Sequence, residues 1–391
     1  MRGNSREQLF PTDQPVAPDQ MIGRGGDVDR IAASLGSGQS LRILAPRRTG
    51  KTTVCDAALG RFEAEGRYAA SVDLMRSAGA AGLARDLTRA VLACRPPLRR
   101  ALADVRQAWE RVGDRLRVQA SLDLGDGVKI AFEPGGRPSQ PEDLLKEALT
   151  LPQRLAEKDG RPLALFIDEL QELAAPGAPF GDPDRLQALM RATFQRSSDV
   201  SLLFAGSREH AMERIFLPDA PLGGFGGSYS LSDISAHEWE EGLEKRFAKA
   251  SVGVETASLR RLVELGSGHP RVTMLIAAEA FVSLRESGQS LLDAATVDLA
   301  WERARSHDAE RCRLVVERMR GLRLARGADL PFRVARALAV GEAPYAVEAH
   351  AEQVRRVLDS LGDIGVAEQL GRGSWQIADP ILRTYLTVGS A

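Results

Sequence analysis

The stretch that decides the fold reads Ala45-Pro46-Arg47-Arg48-Thr49-Gly50-Lys51-Thr52. It follows an apolar run at 41–44 that is typical of a buried strand, and it precedes residues 53–59, which are typical of the first turns of a helix. A strand, a loop that ends in Gly-Lys-Thr and a helix form the context that a phosphate-binding loop requires. The stretch therefore predicts an anion site at a helix N-terminus, where backbone N–H groups and the helix dipole favour negative charge.

Individual loop residues have separate predicted roles. Lys51 can reach the β- and γ-phosphates of a nucleotide, and the Thr52 hydroxyl can ligate Mg²⁺. Gly50 allows the backbone to approach a phosphate closely. Ala45 stands where a glycine is usual, and we expect its small methyl group to be tolerated. The alternative is a chance Gly-Lys-Thr in a basic turn. The predicted nucleotide-binding residues of the loop are Ala45, Pro46, Arg47, Arg48, Thr49, Gly50, Lys51, Thr52 and Thr53.

Two acidic residues form a second candidate site. Asp168 and Glu169 follow the unbroken apolar run 163–167. An aspartate at the end of a buried strand can hold Mg²⁺ beside the loop, and the next glutamate can orient the attacking water. Such a pair can also cap a helix. Ser207 ends the next apolar run, where it can bind the γ-phosphate or that water, or serve only as a turn residue.

The order of apolar runs predicts the fold class. Runs at 41–44, 68–74, 163–167 and 200–206 alternate with segments of helical periodicity. Unbroken apolar strands belong to parallel sheets that are covered on both faces. The sequence therefore predicts an α/β fold with a parallel sheet between two layers of helices.

Bulk composition excludes several classes of protein. The chain has 391 residues, is 43% hydrophobic and 27% charged, and carries a formal net charge of -1. The length predicts two or three domains, and the charge gives no overall field that would attract nucleic acid or a membrane. The 3 cysteines have neither metal nor disulfide spacing. Without an apolar signal segment in 1–20 or a membrane-length apolar run, we expect a cytoplasmic protein.

Composition shifts suggest domain boundaries. Residues 1–20 are polar and proline-containing, which predicts a flexible leader. Residues 96–140 are interpreted as an insertion, with an arginine-rich helix at 98–116 and a hairpin at 118–132. Those arginines can form a patch for a partner or nucleic acid, or lie on a solvated helix balanced by acidic residues. The predicted units are a core at 21–228, helices at 229–310, and a C-terminal domain at 311–391 that starts with a basic helix.

Several motifs together resemble a known family. In chain order they are Met21-Ile22-Gly23-Arg24, the loop at 46–52, Phe166-Ile167-Asp168-Glu169, Phe204-Ala205-Gly206-Ser207 and Gly268-His269-Pro270. This series resembles the prokaryotic AAA/STAND-type P-loop ATPases of the "archaeal ATPase" group over residues 21–388. The resemblance implies a RecA/AAA-like αβα core, a helical lid and a C-terminal winged helix. It also implies that Gly23 and Arg24 lie near the adenine, with His269 and Pro270 facing the nucleotide from the lid.

The resemblance implies an ATPase that binds ATP or ADP with Mg²⁺. Lys51, Glu169 and Ser207 are then the catalytic candidates, and Thr52 and Asp168 are the metal ligands. An arginine finger can come from Arg208, Arg214 or a neighbouring subunit, so oligomerisation that depends on nucleotide is possible.

Three functions remain open from the sequence. The first is a nucleotide-controlled switch that moves the winged helix to control a partner. The second is an ATP-gated protein that binds double-stranded DNA and resembles replication initiators. The third is a degenerate scaffold, against which the intact Lys51, Thr52, Asp168 and Glu169 argue. Arginines on the predicted third helix, 352–361, are nearly balanced by acids, so it can dock on a protein or on the core as well as on DNA.

Overall fold

The computed structural model describes residues 9–12, 16–45, 49–95, 118–119, 131–132, 141–175, 177–207, 209–322, 329–371 and 373–388. Its strands are β1 Leu41–Leu44, β2 Tyr68–Asp73, β3 Val118–Gln119, β4 Ala131–Phe132, β5 Leu163–Asp168, β6 Val200–Gly206, β7 Gly227–Ser230, β8 Gly253–Val254, β9 Leu291–Leu292, β10 Ala367–Gly371 and β11 Ser374–Ile377. Its α-helices are α1 Gly25–Gly36, α2 Lys51–Ala64, α3 Gly79–Leu92, α4 Pro141–Asp159, α5 Pro183–Phe194, α6 Glu209–Ile215, α7 Ala236–Lys249, α8 Thr256–Gly266, α9 Pro270–Ser287, α10 Ala294–His307, α11 Ala309–Arg320, α12 Leu330–Ala339, α13 Ala351–Asp363 and α14 Pro380–Val388.

A five-stranded sheet lies at the centre of the N-terminal half. The strand order is β2, β5, β6, β1, β7, and every neighbouring pair is parallel. Strands β5 and β6 are buried along their whole length, which explains their unbroken apolar sequences. Strand β7 was not predicted, because its Gly-Ser-Tyr-Ser sequence is short, polar and mostly exposed at the edge of the sheet.

Helices cover both faces of this sheet. Helices α1 and α2 bury Ile31 and Phe62 on one face against Ile43 of β1. On the other face, α3, α4 and α5 pack residues such as Leu87 and Leu149 against the sheet. The predicted αβα architecture is therefore confirmed. Because all five strands are parallel, the carboxyl ends of β1, β5 and β6 meet at one edge, where α/β proteins bind their ligands.

The C-terminal half is built mainly of helices around a single apolar core. Side chains from α7 through α14 share this core, which runs from Trp239 to Leu386. The last part has the order helix, short helix, helix, hairpin and helix, with β10 and β11 as the antiparallel hairpin. Between Leu291 and Arg320 the structure has the short strand β9 and two helices, α10 and α11, which meet at Asp308.

The N-terminal segment is packed against helices α7 and α9 of the predicted lid. Phe10 is only 4% exposed, and its ring lies 4.8 Å from that of Phe247 and 5.7 Å from that of Phe281, measured between centroids. The Arg246 guanidinium donates hydrogen bonds to the carbonyl oxygens of Leu9 and Gln20. The predicted flexible leader over 1–20 is therefore wrong for the residues around Phe10.

The predicted insertion is described only in part. Val118 pairs with Phe132 and Gln119 with Ala131, so the two strands of the predicted hairpin are antiparallel at their outer ends. The predicted helix at 98–116 lies outside the described residues. In the part of the chain that the structure describes, no helix is long and apolar enough to cross a membrane.

Candidate nucleotide-binding site

The phosphate-binding loop leads from β1 into the N-terminus of α2. Gly50 caps α2 with φ of +88°, a left-handed conformation in which a side chain would be strained. Lys51 is buried, and its Nζ donates a hydrogen bond to the Ala45 carbonyl at 2.5 Å. Ala45 and Thr53 are also buried. Predicted residues Pro46, Arg47 and Arg48 lie outside the described residues.

A hydroxyl and a carboxylate meet where the metal site was predicted. The Thr52 hydroxyl donates to Asp168 Oδ2 at 2.9 Å, and Asp168 ends the buried strand β5. Burial raises the pKa of the Asp168 carboxyl, and the neighbouring Glu169 raises it further. Oxygen ligands of this kind suit Mg²⁺, which commonly uses one or two protein oxygens beside the phosphates. A bound cation would offset the unfavourable burial of the carboxylate, so Thr52 and Asp168 fit a magnesium ion.

Glu169 lies between the ends of β5 and β6. The Ser207 hydroxyl donates to Glu169 Oε2 at 2.7 Å, and the amide of Gln171 donates to the same oxygen. Glu169 has φ of +54°, an uncommon conformation for a non-glycine residue that often marks a functional site. The structure thus brings two of the predicted catalytic residues into direct contact. Gln171 was missed, because a glutamine after Glu-Leu gives no signal in the sequence.

Arg24 links the loop to the segment that follows β7. It is 8% exposed and lies at φ of +60°, directly after Gly23 at φ of +64°. Its Nη1 donates to the Thr49 carbonyl, and its Nε donates to the Ser232 carbonyl at 2.9 Å. Burial lowers the pKa of the Arg24 guanidinium, although an arginine stays protonated. The structure therefore places Arg24 directly against the phosphate-binding loop.

A cavity of about 370 Å³ extends from the loop toward the lid. Its polar end is lined by Thr49 through Thr53, Glu169 and Ser207. Its apolar end is formed by side chains from three separate parts of the chain: Pro11, Val16, Met21, Ile22, Ile234, Trp239 and Met274. A cavity with a charged end and an apolar end suits the phosphates and base of a nucleotide. The N-terminal segment was missed as a wall of this site.

The lid contributes residues at the start of α9. Pro270 lines the cavity, but His269 is not among the lining residues. Its Nδ1 instead accepts a hydrogen bond from the Val272 N–H at 3.3 Å and so caps α9. Burial lowers the pKa of His269, which favours the neutral ring that can accept this bond.

Arg271 lines the cavity but was not among the predicted site residues. Its Nη1 and Nη2 donate to the two oxygens of Asp308 at 2.6 and 2.7 Å, and both side chains are buried. A cation in the first turn of a helix is opposed by the helix dipole. An arginine directly after Gly-His-Pro therefore indicates an anionic partner, and this pattern is visible in the sequence.

The two candidates for an arginine finger remain unassigned. Arg208 lies outside the described residues. Arg214, on α6, instead lies 3.7 Å from Asp363 at the end of α13.

The parallel αβα sheet and the helix that begins with Lys51 and Thr52 have the order of strand, loop and helix that a phosphate-binding loop requires. No protein-family model matches the sequence, and no curated protein is significantly similar to it. Solved structures do match: a Walker-type ATPase of Pyrococcus abyssi has a TM-score of 0.68 at 17% identity, covering 97% of this chain and 100% of that one. The ORC2 protein of Aeropyrum pernix, in ADPNP–ADP complexes, has a TM-score of 0.57 at 16% identity, covering 97% and 95%. The chain therefore has the RecA/AAA-like fold that the resemblance implied.

Proposed function

We propose that this chain binds ATP with Mg²⁺ and hydrolyses it. The observation that carries the proposal is the convergence of three strand ends on one helix N-terminus. Lys51 and Thr52 begin α2, Thr52 contacts Asp168 at the end of β5, and Glu169 contacts Ser207 after β6. This set provides a phosphate cradle, a metal ligand pair and a carboxylate base, which are the parts that phosphoryl transfer to water requires.

Each residue has a role that follows from its position. Lys51, at the start of α2, neutralises phosphate charge together with the helix dipole. Thr52 and Asp168 would hold Mg²⁺, which when bound supplies charge neutralisation on the phosphates. Glu169 orients the attacking water and accepts its proton, because its carboxylate lines the cavity beside the loop. Ser207 positions that carboxylate in the structure described here.

The proposed hydrolysis is coupled to the C-terminal domain through α6. This helix starts two residues after Ser207, and it packs both on the 3₁₀ segment Leu170–Ala174 that follows Glu169 and on α13. A movement of Glu169 and Ser207 would therefore be transmitted to α13 through the short helix α6. We propose that the C-terminal domain is a winged helix whose position depends on the nucleotide and controls a protein partner.

Contacts of α13 favour a protein partner over DNA. Arg355 lines a groove shared with α6, and Arg356 binds Glu352 on its own helix. A helix that reads DNA needs a free basic face for the phosphates and bases. Direct binding of double-stranded DNA would therefore require α13 to leave α6.

The decisive experiment measures ATP binding and turnover. We expect Lys51→Ala to abolish ATP binding or hydrolysis, and Glu169→Gln to keep ATP binding while hydrolysis falls by about 100-fold or more. Unchanged turnover in Lys51→Ala would refute the proposed site. Loss of ATP binding in a folded Glu169→Gln variant would remove Glu169 as the base.

The same preparations test the proposed partner class. Affinity for double-stranded DNA is measured with and without ATP at several salt concentrations, since phosphate contacts make DNA binding strongly salt-dependent. We expect weak affinity in both states, whereas tight binding with ATP alone would favour the DNA-binding alternative. Light scattering with and without ATP reports whether nucleotide changes the oligomeric state.

A further inference from the structure

Gln171 has an arrangement that packing alone does not explain. The side chain is 1% exposed and belongs to the 3₁₀ segment that begins directly after Glu169. Its Nε2 donates to Glu169 Oε2, whereas its own Oε1 has no hydrogen-bond partner within the described part of the chain. An unpaired buried carbonyl costs about 1–3 kcal/mol. An apolar side chain would avoid that cost, so the retained amide points to a use for its N–H group.

The surroundings of Gln171 hold the amide in this position. A Cβ atom at Gly206 would lie 2.3 Å from Gln171 Oε1 and 2.4 Å from the Met212 side chain. Glycine at position 206 therefore leaves the room that the amide occupies. Because Gly206 is a strand residue without positive φ, the reason for glycine here is space and not backbone conformation.

Both hydrogen bonds to the Glu169 carboxylate end on one oxygen. Ser207 and Gln171 donate to Oε2, and Oε1 receives no hydrogen bond from any residue that the structure describes. Glu169 lines the cavity next to Lys51 and Thr52. One oxygen is thus fixed by the protein, and the other is left to accept a proton from water.

We propose that Gln171 is a positioning residue for ATP hydrolysis, which fixes the Glu169 carboxylate so that Oε1 faces the attacking water. This inference rests on the proposed ATPase function and extends it. Gln171 and Ser207 together hold Oε2 of Glu169, and the hydrogen bond from Gln171 comes from the buried side of the site. Gln171 is not among the residues that line the cavity, so we expect it to affect the chemical step and not nucleotide binding.

The test replaces Gln171 with methionine, which has the same length but no amide. The single-turnover rate of hydrolysis is measured with ATP in the presence of Mg²⁺, and the Kd of ATP is measured separately. We expect the rate to fall by about 10- to 100-fold, because a misplaced catalytic group can cost that much, while the Kd stays within about twofold. Gln187→Met is the matched control, since Gln187 on α5 is 3% exposed and its Oε1 is also unpaired, but it makes no hydrogen bond to the Glu169 carboxylate.

Two variants separate this inference from a loss of folding. Gly206→Ala places a methyl group where the Gln171 amide lies, and we expect it to slow hydrolysis without changing Gln171 itself. A Gln171→Met variant that folds, binds ATP and hydrolyses it at the wild-type rate would overturn the inference. So would an equal loss in Gln187→Met, which would indicate a general effect of core packing.

The failure of the proposed function would look different. In that case the wild-type protein and Glu169→Gln would show the same ATP turnover, and no variant of Gln171 would matter. A wild-type protein that hydrolyses ATP, with a defective Glu169→Gln and an unaffected Gln171→Met, refutes only the role of Gln171.

Discussion

Ser207 and Glu169 show how a site can be assembled from residues far apart in sequence. They are 38 positions apart, yet their side chains form a 2.7 Å hydrogen bond because β5 and β6 are parallel neighbours that end at the same edge. Each residue alone gives a weak signal in the sequence. The order of the strands is what brings the hydroxyl to the carboxylate.

Removing the Ser207 hydroxyl should slow hydrolysis without weakening ATP binding. We expect Ser207→Ala to lower kcat by about 10-fold, less than Glu169→Gln, because Gln171 still holds the carboxylate. Ser201→Ala is the control: its Oγ is also buried on β6, but it donates to the Leu35 carbonyl at 2.9 Å, away from the cavity. Equal effects in the two variants would argue against a specific role for Ser207.

Among individual residues, sequence patterns indicated the candidate site but not the side chains that hold it in place. The Gly-Lys-Thr loop and the Asp-Glu pair follow local patterns with a fixed mechanism, so they could be predicted. Arg24 could be selected only by resemblance, and its bond to the Thr49 carbonyl depends on a long-range contact. His269 illustrates the opposite case, since a local hydrogen bond to the Val272 N–H takes its ring away from the predicted role.

The N-terminal segment is the element whose importance was least visible in the sequence. Most of residues 1–20 are polar, and their adjacent apolar residues are the two short pairs Leu9-Phe10 and Val16-Ala17. Phe10 fits between Phe247 and Phe281, and Arg246 binds the backbone on both sides of it. The segment is thereby held where it forms part of the cavity wall.

Loss of the Phe10 ring should weaken nucleotide binding. Phe10→Ala removes the aromatic contacts, and such buried substitutions cost about 3–5 kcal/mol, enough to release a segment that is attached mainly at this point. We expect the Kd of ATP to rise by about tenfold or more, as measured by calorimetry. Phe180→Ala, in the core beside the sheet, is the control and should lower stability without a specific change in Kd. An unchanged Kd in Phe10→Ala would mean that the segment does not contribute to binding.

Elements with strong periodicity were predicted well, and those without it were not. The buried strands β5 and β6 and the amphipathic helices follow from hydrophobic patterns. Strand β7 is defined by its pairing with β1, and the sequence of its own four residues does not predict that pairing. The break between α10 and α11 depends on Asp308, whose partners Arg271 and Arg311 come from different helices.

A largely buried ionic network connects the cavity with the C-terminal end of the chain. Arg271 lines the cavity and binds Asp308, Asp308 also binds Arg311, and Arg311 binds Asp379 at 2.6 Å just before α14. The network therefore runs from the cavity through the lid to the last helix. Although burial opposes ionisation of Asp308, hydrogen bonds from Arg271 and Arg311 lower its pKa to about 2.

Neutralising Asp308 should destabilise the protein in a pH-dependent way. Removing one partner from a buried ion pair costs about 3–5 kcal/mol, so we expect Asp308→Asn to lower the free energy of unfolding by that order at pH 7. Because the folded-state pKa lies below the ordinary value, the stabilisation is present above about pH 4 and is lost as the pH falls toward about 2. The two proteins should therefore differ less in urea unfolding at pH 3 than at pH 7.

A surface ion pair formed by a residue of α10 provides the control. Asp298 binds Arg261 at 2.8 Å, and both side chains are about half exposed. We expect Asp298→Asn to change the free energy of unfolding by less than about 1 kcal/mol at either pH. If the Asp308 and Asp298 variants lost equal stability, the buried network would have no special importance.

The short helix α6 has a geometric consequence for any motion of the molecule. Its contact with α13 lies toward the C-terminal end of that helix, where Arg214 faces Asp363. Helix α13 has 13 residues and is therefore about 20 Å long. It would act as a lever arm: a tilt of about 10° at the α6 contact would displace its far end, near Ala351, by about 3 Å at this helix length. A sub-ångström adjustment beside Glu169 would then be amplified at a surface far from the nucleotide.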